Sequence, residues 1–330
     1  MKCLAIADLF ITKEMMQHGL TKLTEAGIAV TVREWKHENL EKLQQDNLAI
    51  EQGGSEVIEL PDHLMKDIDS FDLIITQFAP VNKKVISATS NLKGVGIMRG
   101  GTENINASFA EEKGITVINT PGRNARSVAE FTVGLILAEV RNIARSHAAL
   151  KQGVWRKDFP NGDFVPELEG RTVGLIGFGN IGQLVGKFLS VFGAKIIFYD
   201  PYYNGETSFD NVDLENLLKQ SDIVSMHGRL TEETRNMIRA EHFKMMKSTA
   251  IIVNSARSGL IKEDDLIEAL QNREIIGAAI DTFDHEPLEE DSPFLKLDNI
   301  TLTAHMAGST HDSFRNTPNK LAQRILEHLE

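Results

Sequence analysis

Short apolar runs recur along the whole chain, separated by stretches whose apolar positions return every three or four residues. Cys3 to Ala7, Ile28 to Val32, Val57 to Leu60, Leu73 to Thr76, Gly94 to Met98 and Thr116 to Asn119 have the length and side chains of buried strands. Between them, segments such as Lys13 to Ala26 and Asn82 to Ser90 have helical length and spacing. The alternation resumes later. Val173 to Ile176, Lys195 to Tyr199, Ile223 to Met226, Ala250 to Asn254, Ile275 to Ile280 and Ile300 to Thr303 read as strands. Ile181 to about Phe192, Leu214 to Lys219 and Glu263 to Gln271 read as helices. Strands alternating with helices predict parallel sheets covered on both faces, an α/β fold.

A turn-rich junction, Asn119 to Asn124, divides the two series. A single long helix is expected from about Ser127 to Lys151, with Ser127 and Glu130 at capping-box spacing. Its first half, Val128 to Val140, is apolar almost all round and must be covered by a domain or a second subunit. Gln152 to Gly170 is a polar connection containing Pro and Gly, so the chain passes here from a first α/β domain into a second.

The second series opens on Thr172 to Asp200, a strand, three glycines, a helix, a strand and a terminal acid in register. Gly177, Gly179 and Gly182 follow the spacing G-x-G-x-x-G where the strand must turn into a helix. One glycine allows the tight turn, the next lets a pyrophosphate approach the backbone, and the third lets helix and strand pack closely. The helix that follows aims its free N–H groups and positive dipole end at that pyrophosphate. Asp200 lies where a carboxylate grips the hydroxyls of an adenosine ribose. The combination points to a dinucleotide site; the alternative is a turn that binds no nucleotide.

Composition narrows the class. The chain has 330 residues, 42% hydrophobic and 25% charged, enough for about two domains with a large core. Cys3 is the only cysteine, so no internal disulfide forms and a reducing, cytoplasmic compartment is expected. The apolar start, Met1 to Ala7, is broken at Asp8, too early for a signal peptide or a membrane span. A net charge of −12 with no basic cluster argues against nucleic acid and anionic membranes as partners. An anionic ligand would then need local arginines.

Several strand ends carry polar residues, at the edge where parallel sheets hold ligands. Ser225 to Arg229 (including Gly228), Asn254-Ser255-Ala256-Arg257, Asp281-Thr282-Phe283 and Ala304-His305 all fall there, with Glu286 on the loop after Asp281. Arg257, Glu286 and His305 together offer a cation to polarise an oxo acid and a proton donor tuned by a neighbour, which a nicotinamide enzyme needs. Singly, each could be a structural or solvated side chain. Asp281, Asp284, His285 and Glu286 could suggest a metal, but no metal-binding spacing accompanies them, and none is expected. In the first series, Arg99-Gly100-Gly101 follows a strand, where exposed amides hold a carboxylate and Arg99 a polar or anionic tail. The alternative is a tight turn in which Arg99 pairs with a local acid such as Glu103.

These stretches resemble the D-isomer-specific 2-hydroxyacid dehydrogenase family. The matching residues are GFGNIG with Asp200, HGRLTEETRNMI from His227, NSARSGLI around Arg257, DTFDHEPL from Asp281, and TAHMAGST around His305, which includes Gly308. NTPGRNARSVAEFT, from Asn119 to Thr132, resembles the family's junction helix. The resemblance implies an NAD-dependent interconversion of a small 2-oxo acid and its D-2-hydroxy acid. Arg257 would bind the substrate's carboxylate and carbonyl, His305 would exchange the hydroxyl proton, and Glu286 would hold and charge that histidine. Asp281 would meet the nicotinamide end, Asn180 and Ile181 the pyrophosphate, with Gly228, Ser255, Ala256 and Gly308 lining the cofactor. It implies two Rossmann-like or flavodoxin-like domains. The substrate domain comprises 1–120 and 307–330, the NAD domain 121–306 is inserted in it, and the Ser127 helix builds a homodimer. An arginine frequent in the family near the first domain's substrate strand is here Gln77. A sensor of NAD(H) with the same fold and no catalysis is the alternative function.

Overall fold

The structure is a computed structural model, and it describes residues 1–162 and 166–329. The chain forms two compact units, Met1–Arg123 with Ser309–Glu330, and Asn124–Gly308.

The first unit is built on a five-stranded parallel sheet. Its strands are β1 (Lys2–Ala7), β2 (Ala29–Glu34), β3 (Leu73–Thr76), β4 (Gly94–Ile97) and β5 (Thr116–Asn119), in the spatial order β2-β1-β3-β4-β5. The middle strands β3 and β4 are wholly buried, as their unbroken apolar runs require. One face packs on Trp35, Leu43, Ile50 and Leu64, the other on Met16, Leu23, Leu321 and Ile325. The last two belong to the terminal helix His311–Leu329, which returns to this unit. The expected helix 13–26 is two helices, Lys13–Gly19 and Thr21–Glu25. Val57 to Leu60 forms no strand. The run is short, and Val57 itself is exposed, so no neighbouring strand pairs with it.

The second unit carries a seven-stranded parallel sheet. Its strands are β6 (Thr172–Ile176), β7 (Lys195–Tyr199), β8 (Asp210–Asn211), β9 (Ile223–Met226), β10 (Ile251–Asn254), β11 (Gly277–Ile280) and β12 (Ile300–Leu302). Their order is β12-β11-β10-β9-β6-β7-β8, so the winding reverses between β6 and β9. In such sheets the crevice at the reversal, beyond the carboxyl ends, takes the ligand. Phe178 stacks on Phe198 with ring centroids 3.9 Å apart and seals the core beneath the first turn.

The long junction helix is two helices, Ala125–Val140 and Ile143–Lys151. Asn142 between them has φ 55°, a left-handed conformation that an α-helix cannot continue through. The helix also starts earlier than the capping-box spacing suggests. Ser127 donates to Asn124 O at 2.9 Å and Glu130 pairs with Arg126, so neither caps the end. Glu139 is buried and ties this helix to the sheet, taking Arg145 at 2.6 Å and Thr301 Oγ1 at 2.7 Å. Gly277 has no Cβ because one would lie 2.2 Å from that carboxylate. Of the connection 152–170, residues 163–165 lie outside the described part.

Candidate active site

The glycine turn has the geometry its spacing requires. Gly177 has φ 94°, and a Cβ there would lie 2.6 Å from Gly228 N, so only glycine fits. A Cβ on Gly182 would lie 2.3 Å from Gly177 O, which is the close helix–strand approach. Gly179 differs from both: nothing lies within 4 Å of its Cβ position. It opens the helix Asn180–Val191, whose start has no side-chain cap. Asn180 and Ile181 therefore present first-turn N–H groups beside an open surface, which fits a pyrophosphate.

Asp200 ends β7 and braces this turn. Its carboxylate accepts Phe178 N at 2.8 Å and Tyr202 N at 3.0 Å, one on each oxygen. Each oxygen keeps a lone pair for a ribose hydroxyl. Two buried polar atoms in this unit have no partner among the described residues, His227 Nδ1 and Thr282 Oγ1, both at strand ends of the carboxyl edge. Burial pushes the His227 imidazole down to about 3, so it is neutral. The donor set thus fits a dinucleotide: open glycine, free helix amides, terminal acid and spare hydrogen-bonding atoms.

Beyond β10, β11 and β12 the remaining residues converge. His305 Nδ1 and Glu286 Oε2 are 2.8 Å apart, and Glu286 Oε1 accepts Phe283 N at 2.9 Å. The hydrogen bond that His305 donates to Glu286 raises the histidine pKa against the opposing effect of burial, with the charges of Glu286 and Asp281 adding to the rise. Burial opposes the Glu286 carboxylate, but the bonds from His305 and Phe283 and the charge of Arg257 outweigh it and lower its pKa. Arg257 thus acts electrostatically on both partners. Its own guanidinium is exposed and bonds to Ala256 O at 2.7 Å.

Asp281 is fully buried, and both of its oxygens are committed. Oδ1 accepts Thr303 Oγ1 at 2.5 Å and Met306 N at 2.9 Å, and Oδ2 accepts Ala307 N at 2.9 Å. These bonds close a turn in which His305 has φ 50°, in the left-handed region that costs free energy for residues other than glycine. The family resemblance implies that Asp281 meets the nicotinamide end; in the fold its carboxylate also holds the 303–307 turn that carries His305. Ser255 is likewise committed, buried and bonded to Thr132 at 2.6 Å. Gly228 and Ala256 remain partly open, and Gly308 packs so that a Cβ would lie 2.5 Å from Asn124 Nδ2. The sequence marks Asn254 only as one of the strand-end residues, with no role of its own. It accepts Ala256 N at 3.0 Å and donates to Arg257 O at 2.8 Å, shaping the arginine's loop. Among the described residues, no group of His, Cys, Asp and Glu could hold a metal.

In the first unit, Arg99 is already engaged. It lies 5.1 Å from the centre of the Phe78 ring, donates to Asn47 at 2.8 Å and pairs with Glu51. Its side chain is 13% exposed. The acid partner is Glu51 rather than Glu103, whose carboxylate folds over Gly101. Asn119 Nδ2 bonds Gly100 O at 2.6 Å and holds the glycine turn against β5.

Residues 133–307 match the model of the D-isomer specific 2-hydroxyacid dehydrogenase, NAD binding domain. The chain belongs to that family. It is 43% identical over 273 residues to the hydroxypyruvate reductase of Thermotoga maritima, covering 81% of this chain and 88% of that one. It is 41% identical over 267 residues to the D-3-phosphoglycerate dehydrogenase of Methanocaldococcus jannaschii, covering 79% of this chain and 50% of the longer relative. Among solved structures, the NAD+ complex of D-lactate dehydrogenase from Lactobacillus jensenii superposes with a TM-score of 0.72 at 26% identity. That likeness covers 96% of this chain and 93% of the other. As a 2-hydroxyacid dehydrogenase of this family, the protein is an oxidoreductase with NAD as cofactor. None of the helices described is long and apolar enough to cross a membrane.

Proposed function

We propose that the protein reduces a small 2-oxo acid to the D-2-hydroxy acid, and runs the reverse reaction when the hydroxy acid is in excess. The observation that carries the reading is the 2.8 Å pair of His305 Nδ1 with Glu286, which leaves the far ring nitrogen without a partner among the described residues. NADH, when bound, supplies the hydride. Arg257 holds the carboxylate and draws electron density toward the carbonyl oxygen. Protonated His305 donates from Nε2 to that oxygen, and Glu286 stabilises the imidazolium before transfer. Asp281 keeps His305 in its strained, aimed conformation. Gly177, Gly179, Gly182, Asn180 and Ile181 receive the pyrophosphate, and Asp200 takes the ribose hydroxyls. The amides of Gly100 and Gly101 remain candidates for the substrate carboxylate.

A panel of 2-oxo acids with NADH, followed by loss of nicotinamide absorbance, tests this. Turnover that disappears in His305→Ala supports the assignment; turnover unaffected by that change rejects it. The assembly is read as a homodimer. Helix Ile143–Lys151 has no buried residue, and Ile143, Leu150, Val154 and Trp155 are at least half exposed, Trp155 at 79%. So large an apolar surface is expected to be covered by a second copy. Light scattering on Trp155→Asp should then show dissociation, and an unchanged mass would rule out this face.

A further inference from the structure

Two buried polar side chains interrupt the apolar face of helix Ala125–Val140. Thr132 is 0% exposed and Glu139 2%, amid Val128, Ala129, Leu135 and Ile136. They stand seven residues apart, about two turns, so both leave the helix on the same side. That helix packs on β10, β11 and β12. Apolar residues of similar size would cover the sheet with no polar group to satisfy, so polarity here calls for a reason beyond burial.

Each side chain holds one strand end that carries a reacting group. The Thr132 hydroxyl donates to Val128 O at 2.8 Å, which uses its single hydrogen. The 2.6 Å bond with Ser255 is therefore donated by Ser255, which is buried as well. Ser255 opens the turn after β10, in which Asn254 Nδ2 donates to Arg257 O at 2.8 Å. Glu139 divides its two oxygens. Oε1 takes Arg145 at 2.6 Å, which matches its charge, and Oε2 takes Thr301 Oγ1 at 2.7 Å. Thr301 lies in β12, and two residues further on Thr303 bonds Asp281 in the turn that carries His305. Gly277 in β11 leaves the room that the Glu139 carboxylate occupies. A hydrogen bond fixes a distance and a direction, whereas apolar contact is non-directional.

Resting on the 2-oxo acid reductase reading, we propose that helix Ala125–Val140 is the gauge that sets Arg257 and His305 relative to each other. Thr132 and Glu139 are its positioning residues. Each acts through the strand end that it holds, and neither is a catalytic residue.

A double-variant cycle on kcat tests this with nearly isosteric changes. Thr132→Val removes the acceptor for Ser255, and Thr301→Val removes the donor to Glu139 while the Arg145 pair stays. Each should lower kcat for the best 2-oxo acid of the panel by about tenfold, since displacements of about 1 Å already cost more than that. The KM for NADH should hold within about twofold, because the glycine turn follows β6 and depends on neither bond. One gauge is lost only once, so the double variant should be little slower than the slower single one. Losses that multiply would mean that the two bonds act independently, and the gauge falls. Thr132→Ser and Thr301→Ser keep the hydroxyls and should retain kcat; serine variants as slow as the valine ones would assign the effect to packing and overturn it. An unchanged kcat in the valine variants, or a loss matched in the KM for NADH, overturns it too. Should the unaltered protein reduce no 2-oxo acid, the reductase reading fails by itself. Crystal structures then still decide: the Arg257 turn in Thr132→Val and the His305 turn in Thr301→Val should shift by about 0.5 Å or more, the tolerance of a reacting constellation, and superposable turns reject the gauge.

Discussion

The carboxyl edges of the two sheets both keep buried polar atoms without a partner among the described residues: His227 Nδ1 and Thr282 Oγ1 in the second unit, Asp8 Oδ2 and the Gln77 amide in the first. They differ in how they hold their charged side chains. In the second unit the charged side chains are tied to one another or to backbone: His305 to Glu286, and Asp281 to three groups of the 303–307 turn. In the first unit Arg99 is paired with Glu51, while Asp8 and Gln77 keep hydrogen-bonding atoms without a partner among the described residues. Reaction chemistry needs a proton donor in one place and one tautomer, so it is built from saturated contacts. The same α/β architecture thus supports a prepared edge, where charges are tied, and a waiting edge, where the Asp8 carboxylate keeps an unmatched oxygen.

Removing the prepared donor should have the largest effect. His305→Ala is expected to lower kcat by roughly 100- to 10,000-fold, the usual worth of a positioned acid–base group, with unfolding in urea nearly unchanged because the ring is exposed. A loss of less than about tenfold would mean that the proton comes from elsewhere.

The waiting edge can be broken in the opposite direction, toward greater stability. Burial, opposed by the N–H groups of Ile11 and Phe10 and by Arg123 and His37, pushes the Asp8 carboxyl from 3.8 to about 6. A carboxyl whose folded pKa is raised is most compatible with folding below the unfolded value, and stability drops as pH rises through the folded value. Asp8→Asn should therefore stabilise the protein at pH 7 by up to about 3 kcal/mol, and the gain should shrink toward zero near pH 4. Denaturant midpoints at the two pH values read this. A destabilised variant at pH 7 would show that the charge supports the fold.

Cofactor choice comes next. Asp200 should repel the 2′-phosphate of NADPH, favouring NADH by about 10- to 100-fold, and Asp200→Asn should erase most of that preference. Equal kcat/KM for the two cofactors in the unaltered protein would contradict this.

The mildest change concerns the pair itself. Glu286 raises the His305 pKa, so the protonated donor persists to higher pH than a free imidazole allows. Glu286→Gln should move the basic limb of the reduction profile toward lower pH. A limb that stays in place would separate the two residues functionally.

Much of this molecule can be read from local pattern. Strands Leu73–Thr76 and Ile223–Met226 match their apolar runs residue for residue, because a strand buried on both faces must be almost continuously apolar. The glycine spacing foretold the turn at Gly177 and Gly182, where a Cβ would strike backbone and only glycine fits, whereas Gly179 faces open space. The long helix broke at Asn142, and Val57 to Leu60 paired with nothing, because both depend on what packs nearby rather than on composition. Arg257, Glu286 and His305 were legible as residues at strand ends. Their convergence, the clamp of Asp281 on His305, the capture of Arg99 by Glu51 and the spare atoms of Asp8 and Gln77 were decided by tertiary structure alone. Hydrogen-bond partners such as Arg99 and Glu51 are 48 residues apart, and no local pattern encodes which distant side chain satisfies a buried polar group.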